Sequence, residues 1–203
     1  MATSLSPTVV LREYRPLLLI AVLLATFLAP PVLAATTERP DPAMRRLLIK
    51  AINAADSFQD RYDAEVWLTD MSHRLQSKVP DPAERLEILR TAHYEASRAG
   101  LPPELVLAVI DVESNFDRFA ISSVGARGLM QVMPFWLDEI GRAGDDLFDI
   151  HTNLRIGCTI LKLYLDREQG DRTRALARYN GSIGKSWYPQ RVYTSLADRW
   201  YRQ

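Results

Sequence analysis

The sequence of 203 residues contains one cysteine and three histidines. A lone Cys158 cannot form an internal disulfide, so the fold must be stabilised by its hydrophobic core. Cys158 lies in an apolar helical stretch, where a free thiol packs as a small buried hydrophobe rather than reacting as a nucleophile. The histidines, His73, His93 and His151, have no metal-ligand spacing. We therefore predict no metal site and no cofactor.

No charge of one sign predominates. Lys plus Arg and Asp plus Glu each number 25, which leaves no basic surface of the kind that binds nucleic acid. A nucleotide site is not predicted either. Residues 181–186 end in Gly-Lys-Ser like a phosphate-binding loop, but Tyr179 stands where the full motif requires glycine, and no apolar strand precedes it.

Apolar runs are also short, since none reaches the ~20 residues needed to span a bilayer as a helix. Near the N-terminus, Arg12 and Arg15 precede an apolar stretch over residues 17–29, and the small residue Ala34 follows. This is the three-part pattern of a secretory signal peptide, which we predict over residues 1–34. An uncleaved N-terminal anchor is the alternative. No cysteine follows the stretch, so a lipoprotein anchor is not expected.

Residues 35–100 carry no catalytic signature, but apolar residues at helical spacing predict three helices there. The second is predicted to begin at Asp56-Ser57 and the third at Asp81-Pro82, because these residues cap helices and proline fits the first turn. The third stops at Gly100. We interpret this segment as a linker and an N-terminal helical extension that packs against a domain over residues 101–203.

A helix with an acid at its end begins that domain. A proline pair at positions 102–103 predicts the helix start. Val106, Ile110 and Glu113 then share one helix face, at spacings of four and three residues. Asp111 lies away from this face and is expected to be an ordinary solvated acid.

Glu113 is a carboxylic acid on a face that otherwise reads as buried. An apolar environment and the negative end of the helix dipole both favour its neutral form, so we expect a raised pKa. A carboxyl that is protonated near neutral pH can serve as a general acid. On spacing alone, a solvated glutamate in the last helical turn is an equally good interpretation.

The loop that follows the helix favours the first interpretation. Gly125 and Gly128 permit positive φ and close backbone approach. Met130 and Met133 flank Gln131, whose amide both donates and accepts hydrogen bonds. This mixture of apolar and amide contacts suits a sugar ring that carries an N-acetyl group.

The order and spacing of these residues resemble a known family. Glu113-Ser114, then Ser-x-Val-Gly-Ala-x-Gly-Leu-Met-Gln over residues 122–131 and a following Pro134, look like the catalytic domain of the soluble, SLT-type (family 1) lytic transglycosylases. Residues 147–161 and 175–181 match two further stretches of the family. In the first, Asp149 and Asn153 are assigned to helix capping and Gly157 to close helix packing. The resemblance covers about residues 101–200.

The resemblance implies a mostly α, lysozyme-like (goose-type/SLT) helical domain, with peptidoglycan glycan strands as its partner. From the predicted signal peptide we expect the protein to be exported to the periplasm. It implies that Glu113 is the catalytic residue and that Ser114 steadies the loop behind it. The Tyr179 hydroxyl is expected to reach the acid and orient the reacting group. The residues implied to bind substrate are Ser122, Gln131, Met133, Tyr179 and Asn180.

The family's reaction, as the resemblance implies it, needs a single carboxyl. Glu113 protonates the glycosidic oxygen between N-acetylmuramic acid and N-acetylglucosamine, and the substrate's own N-acetyl oxygen supports the anomeric carbon. Glu113 then removes the proton from the 6-hydroxyl, which closes a 1,6-anhydro ring without water.

Two other functions remain open from the sequence. A goose-type lysozyme shares the fold and the acid but hydrolyses with water, and it needs a second carboxylate to activate that water. Asp117, four residues after Glu113, is expected to shape the turn instead. The other alternative is a non-catalytic peptidoglycan-binding protein.

Overall fold

The computed structural model describes residues 42–53 and 56–201, and within them the chain is built from α-helices. Two isolated antiparallel bridges join Arg127 to Ile121 and to Val132, and no strand forms in the described residues. The mostly α prediction is confirmed. The helices are α1 (Pro42–Asn53), α2 (Arg61–Leu75), α3 (Pro82–Ala99), α4 (Pro103–Glu113), α5 (Phe135–Ile140), α6 (Ile150–Arg167), α7 (Arg172–Tyr179) and α8 (Trp187–Ser195), followed by a π-helical turn, Leu196–Trp200.

The predicted signal peptide lies outside the described residues. Among the helices that are described, none is both long and apolar enough to cross a membrane.

Local capping signals set the ends of α3 as predicted. The Asp81 carboxylate accepts hydrogen bonds from the Ala83 and Glu84 amides, and Pro82 begins the helix. Gly100 ends it with φ 67°, a left-handed conformation that costs glycine little.

The predicted start of α2 is wrong. Its N-cap is Asp60, whose carboxylate accepts from the Asp63 amide at 2.8 Å, and not Asp56-Ser57. Residues 56–60 form turns and bends, and there the Phe58 ring stacks on the His93 imidazole, with ring centroids 3.6 Å apart. That contact lies 35 residues away in sequence, so no local signal reports it. The helix ends at Leu75.

The helix α4 lies at the centre of the described fold. Every residue from 105 to 111 is buried, and α4 packs against α3, α8 and the π-helical turn. The helix α3 also packs extensively on α6, and α6 on α7. The third helix of the predicted extension is therefore part of the same core as α4.

Asp111 corrects one expectation, because it is buried rather than solvated. Its carboxylate pairs with Lys78 and Arg199, each at 2.7 Å, and accepts from the Ser195 hydroxyl at 2.6 Å. These partners hold its pKa below the usual range, against the effect of burial, which raises it. Asp111 thus ties α4 to the C-terminal elements that cover it.

The helix α6 holds the loop that follows α4. The Asp149 carboxylate caps the helix by accepting from the Thr152 amide, as predicted. Asn153 caps nothing; it fastens the loop by accepting from the Met130 amide at 2.8 Å and donating to the Arg127 and Leu147 carbonyls. Gly157 was predicted to permit close packing of helices, but what packs against it is the loop, because a Cβ there would lie 2.5 Å from the Met130 sulfur.

Candidate active site

Glu113 is the last residue of α4, where the backbone turns sharply out of the helix. Asn115 and Phe116 adopt positive φ of 52° and 67°, and Phe116 is buried, which offsets part of the cost of this conformation. The Ser114 hydroxyl donates to the Leu129 carbonyl at 2.8 Å. This bond joins the end of α4 to the glycine-containing loop, a position that fits the supporting role predicted for Ser114.

The carboxyl of Glu113 receives a hydrogen bond from a residue that the sequence analysis missed. The Tyr188 hydroxyl donates to Glu113 Oε1 at 2.5 Å. Tyr188 lies on α8, is 1% exposed and is held by the core. Local spacing cannot connect two residues that are 75 positions apart. The only sequence signal for a functional role of Tyr188 is the aromatic pair Trp187-Tyr188 at the start of α8.

Burial raises the pKa of Glu113 from 4.5 to about 7. Three groups act in the opposite direction: the Tyr188 hydrogen bond first, then the positive charge of Arg191 and the Asn180 side chain, which lies within hydrogen-bonding reach. Since desolvation of the charged form prevails over all three, the carboxyl is half protonated near neutral pH. The raised pKa is as the sequence predicts, and burial is its first cause.

Tyr179 does not make the contact expected of it. Its hydroxyl donates to the Met130 carbonyl at 2.8 Å, so it fixes the loop rather than the acid. Its ring is partly buried close to Glu113, and burial and that carboxyl both raise its pKa well above 10. The contact predicted for Tyr179 is made by Tyr188, because α8 crosses the end of α4 and α7 faces the loop.

The loop residues predicted to bind substrate lie after α4, and some of their polar atoms already form hydrogen bonds within the protein. The Ser122 hydroxyl accepts from the Ala126 amide at 3.0 Å. The Gln131 amide nitrogen donates to two backbone carbonyls of the loop, which leaves its carbonyl oxygen for a ligand. Met133 is partly buried. Substrate binding by these three residues remains a prediction.

Among the described residues, the groups that shift the pKa of Glu113 include no other carboxyl. Asp117 is exposed and accepts from the Phe119 amide at 2.8 Å, so it shapes the turn as predicted. In the ranges 42–53 and 56–201, no cluster of three His, Cys, Asp or Glu side chains has metal-binding geometry. The site therefore offers one titrating carboxyl with a fixed hydroxyl donor.

Comparison with known proteins identifies the family. The model of the Transglycosylase SLT domain matches residues 90–199 of this chain. The chain belongs to the Transglycosylase SLT domain family. The SLT match begins inside α3, ahead of the boundary predicted at residue 101. The resemblance found in the sequence is thereby confirmed, and the SLT-type assignment agrees with the mostly α architecture of the described residues.

Two curated relatives align with part of this chain and are longer. The transglycosylase of Enterobacteria phage PRD1 is 31% identical over 117 residues, which cover 55% of this chain and 43% of that protein. Membrane-bound lytic murein transglycosylase F of Desulfosudis oleivorans is 34% identical over 114 residues, 52% of this chain and 25% of that protein. The chain thus spans less than half the length of either relative.

A solved structure, the lytic transglycosylase Slt from Pseudomonas aeruginosa, aligns with 71% of this chain and 29% of its own. The identity is 24% and the TM-score is 0.44. A superposition this loose has no bearing on activity.

Proposed function

We propose that this protein is a lytic transglycosylase that cleaves the β-1,4 bond between N-acetylmuramic acid and N-acetylglucosamine in peptidoglycan. Membership of the SLT family and the names of the curated relatives support the reaction class. The observation that carries the proposal is the partly buried carboxyl of Glu113, whose pKa is raised to about 7 and is shifted by no other carboxyl among the described residues.

One group performs both proton transfers in this proposal. The protonated Glu113 gives its proton to the glycosidic oxygen as the C1–O bond breaks, and the N-acetyl oxygen of the muramic residue supports the positive anomeric carbon. The Glu113 carboxylate then takes the proton from the 6-hydroxyl, and O6 bonds to C1. The proton count of the enzyme is restored and no water is consumed, so a second carboxylate has no task.

The surroundings of Glu113 suit this cycle. A pKa near the working pH makes the group an effective acid in the first step and an effective base in the second. Burial keeps the pKa of Tyr188 well above 10, so its hydroxyl stays protonated and donates in both steps. The Tyr188 hydroxyl thereby fixes one carboxyl oxygen and leaves the other to face the substrate.

Three loop residues are proposed to contact the sugar. Gln131 and Ser122 hydrogen-bond its N-acetyl group and neighbouring hydroxyls, and Met133 forms part of the wall of the cleft. Asn180 is proposed to support the Glu113 carboxyl, and Tyr179 to hold the loop that carries Gln131. An exported, periplasmic location, with residues 1–34 as signal peptide, fits a substrate that lies outside the cytoplasmic membrane.

Release of soluble fragments from purified sacculi tests the catalytic role of Glu113. The Glu113→Gln variant keeps the shape of the side chain but cannot cycle a proton, so we expect release to fall at least ~1,000-fold with the fold intact. Glu65→Gln, the same change at an exposed position on α2, is the matched control and should be fully active. Unchanged release by Glu113→Gln removes Glu113 from the reaction.

A further inference from the structure

A groove of about 430 Å³ runs between α4 and α8, next to the end of α4. Val112, the neighbour of Glu113 in sequence, lines one wall, and α8 supplies Trp187, Gln190, Arg191 and Thr194. The volume is in the range of small-molecule sites. Neither Glu113 nor Tyr188 lines the groove, but Tyr188, which binds Glu113, lies one residue from Trp187 and three from Arg191 on α8, so the groove is next to the acid and not on it.

Arg191 is the cation at the acid's end of this groove. Its side chain is exposed, and within the part of the chain that the structure describes it makes no ion pair or hydrogen bond. Its charge acts on both Glu113 and Tyr188, which places the guanidinium close to the reacting carboxyl.

The remaining charges of the groove lie further along it. Asp111 is buried and paired with Arg199 at 2.7 Å, and Asp198 lies beside Arg199, two turns of chain beyond Arg191. Arg191 is therefore free to bind an anion, and a guanidinium fork suits a carboxylate.

Trp187 adds a flat apolar surface to the same wall. Its side chain is 46% exposed and stands edge-on to the Tyr188 ring, with centroids 5.9 Å apart and planes at 86°. Trp187 and Arg191 are four residues apart on α8, so they are neighbours on one helix face. An exposed indole beside a free guanidinium provides stacking for a sugar ring and a charged partner for a substituent on it.

We propose that this groove is a substrate subsite that binds a glycan unit carrying a carboxylate, with Trp187 against the sugar ring and Arg191 on the carboxylate. The inference rests on the proposed function and adds that the groove recognises a carboxylate of the substrate. In peptidoglycan the carboxylate belongs either to the stem peptide or, on peptide-free strands, to the lactyl group of muramic acid. Arg191 is then a specificity-determining residue and takes no part in the proton transfers.

Binding measurements in the Glu113→Gln background test the subsite, because that background removes turnover and the titration of the acid. Three soluble probes are compared by calorimetry: a neutral N-acetylglucosamine oligomer, peptide-free glycan fragments and peptide-bearing glycan fragments. Arg191→Gln is the test variant. Arg46→Gln, the same charge change at an exposed position on α1, is the control, and Trp187→Ala tests the sugar contact.

We expect Arg191→Gln to weaken a carboxylate-bearing probe on the order of tenfold, the loss typical of one charge-assisted hydrogen bond, and to leave the neutral oligomer within twofold. Loss confined to the peptide-bearing probe assigns the stem peptide, whereas equal loss with the peptide-free probe assigns the lactyl carboxylate. Trp187→Ala should weaken all three probes. Equal weakening of neutral and anionic probes by Arg191→Gln, or no weakening of either anionic probe, overturns the subsite.

The subsite and the proposed function can fail independently, and the measurements distinguish the two failures. If the unaltered protein digests sacculi while Arg191→Gln binds all probes normally, the subsite is wrong and the transglycosylase proposal stands. If the unaltered protein releases nothing but Arg191→Gln still loses the anionic probes selectively, the protein is a glycan binder and the subsite stands.

Discussion

Replacing Glu113 by glutamine should stabilise the protein at neutral pH while it abolishes turnover. The folded pKa is about 7 against an ordinary value of 4.5, so between these values the native state holds a proton that the unfolded chain has released. Stability contributed by this proton is present at low pH and is lost as pH rises from about 4.5 to 7. One pKa unit corresponds to ~1.4 kcal/mol, so the charged carboxyl costs the fold up to about 3 kcal/mol above pH 7.

Urea unfolding of both proteins between pH 5 and pH 8 measures this cost. The free energy of unfolding of Glu113→Gln, relative to that of the unaltered protein, should rise by about 2 to 3 kcal/mol across the range. The glutamine oxygen still accepts the Tyr188 hydroxyl, so no hydrogen bond is lost there. Glu65→Gln should show a flat difference. Parallel stability curves for Glu113→Gln and the unaltered protein would refute the raised pKa, and with it the acid–base cycle.

Three further substitutions probe the site and its support. Tyr188→Phe removes the hydrogen-bond donor to Glu113 and so raises the pKa of Glu113 further. The basic limb of the kcat–pH profile should move to higher pH, and kcat should fall roughly 10- to 100-fold. A basic limb that does not move contradicts this contact. Asp111→Asn leaves two cations without a carboxylate and should lower the free energy of unfolding by about 3 kcal/mol in urea titrations, whereas a neutral result means that solvent replaces the pair. Gly157→Ala should destabilise by about 1 to 3 kcal/mol, because its Cβ meets the Met130 sulfur at 2.5 Å; a thermal melt that shows stabilisation refutes the tight packing.

The features predicted correctly from sequence are those with local causes. Asp81-Pro82 and Gly100 determine the ends of α3 through capping and backbone conformation within a few residues. The buried face of α4 follows from its apolar spacing, and the raised pKa of Glu113 follows from that burial. The family motif then identified the loop after α4 and the order of the residues in it.

The features that were missed depend on segments far apart in the chain. Asp111 lies on the side of α4 that its own apolar face predicts to be solvated, but α8 and the π-helical turn cover it. Tyr188 reaches Glu113 because α8 packs against α4, a contact that no local spacing encodes. For the same reason Tyr179 was assigned a contact with the acid and instead binds the Met130 carbonyl. The order and spacing of motifs in the sequence identify which residues lie near a site. Helix packing determines which of those residues contacts the reacting group.

The mass of the products released from purified sacculi tests the central claim most directly. If Glu113 alone acts as acid and then base, the fragments end in 1,6-anhydromuramic acid, lighter by one water than reducing ends, and they take up no label when the digest is run in ¹⁸O-water. Reducing ends that carry the ¹⁸O label would contradict the account, because in the proposed second step the 6-hydroxyl oxygen bonds to C1 and no water oxygen enters the product.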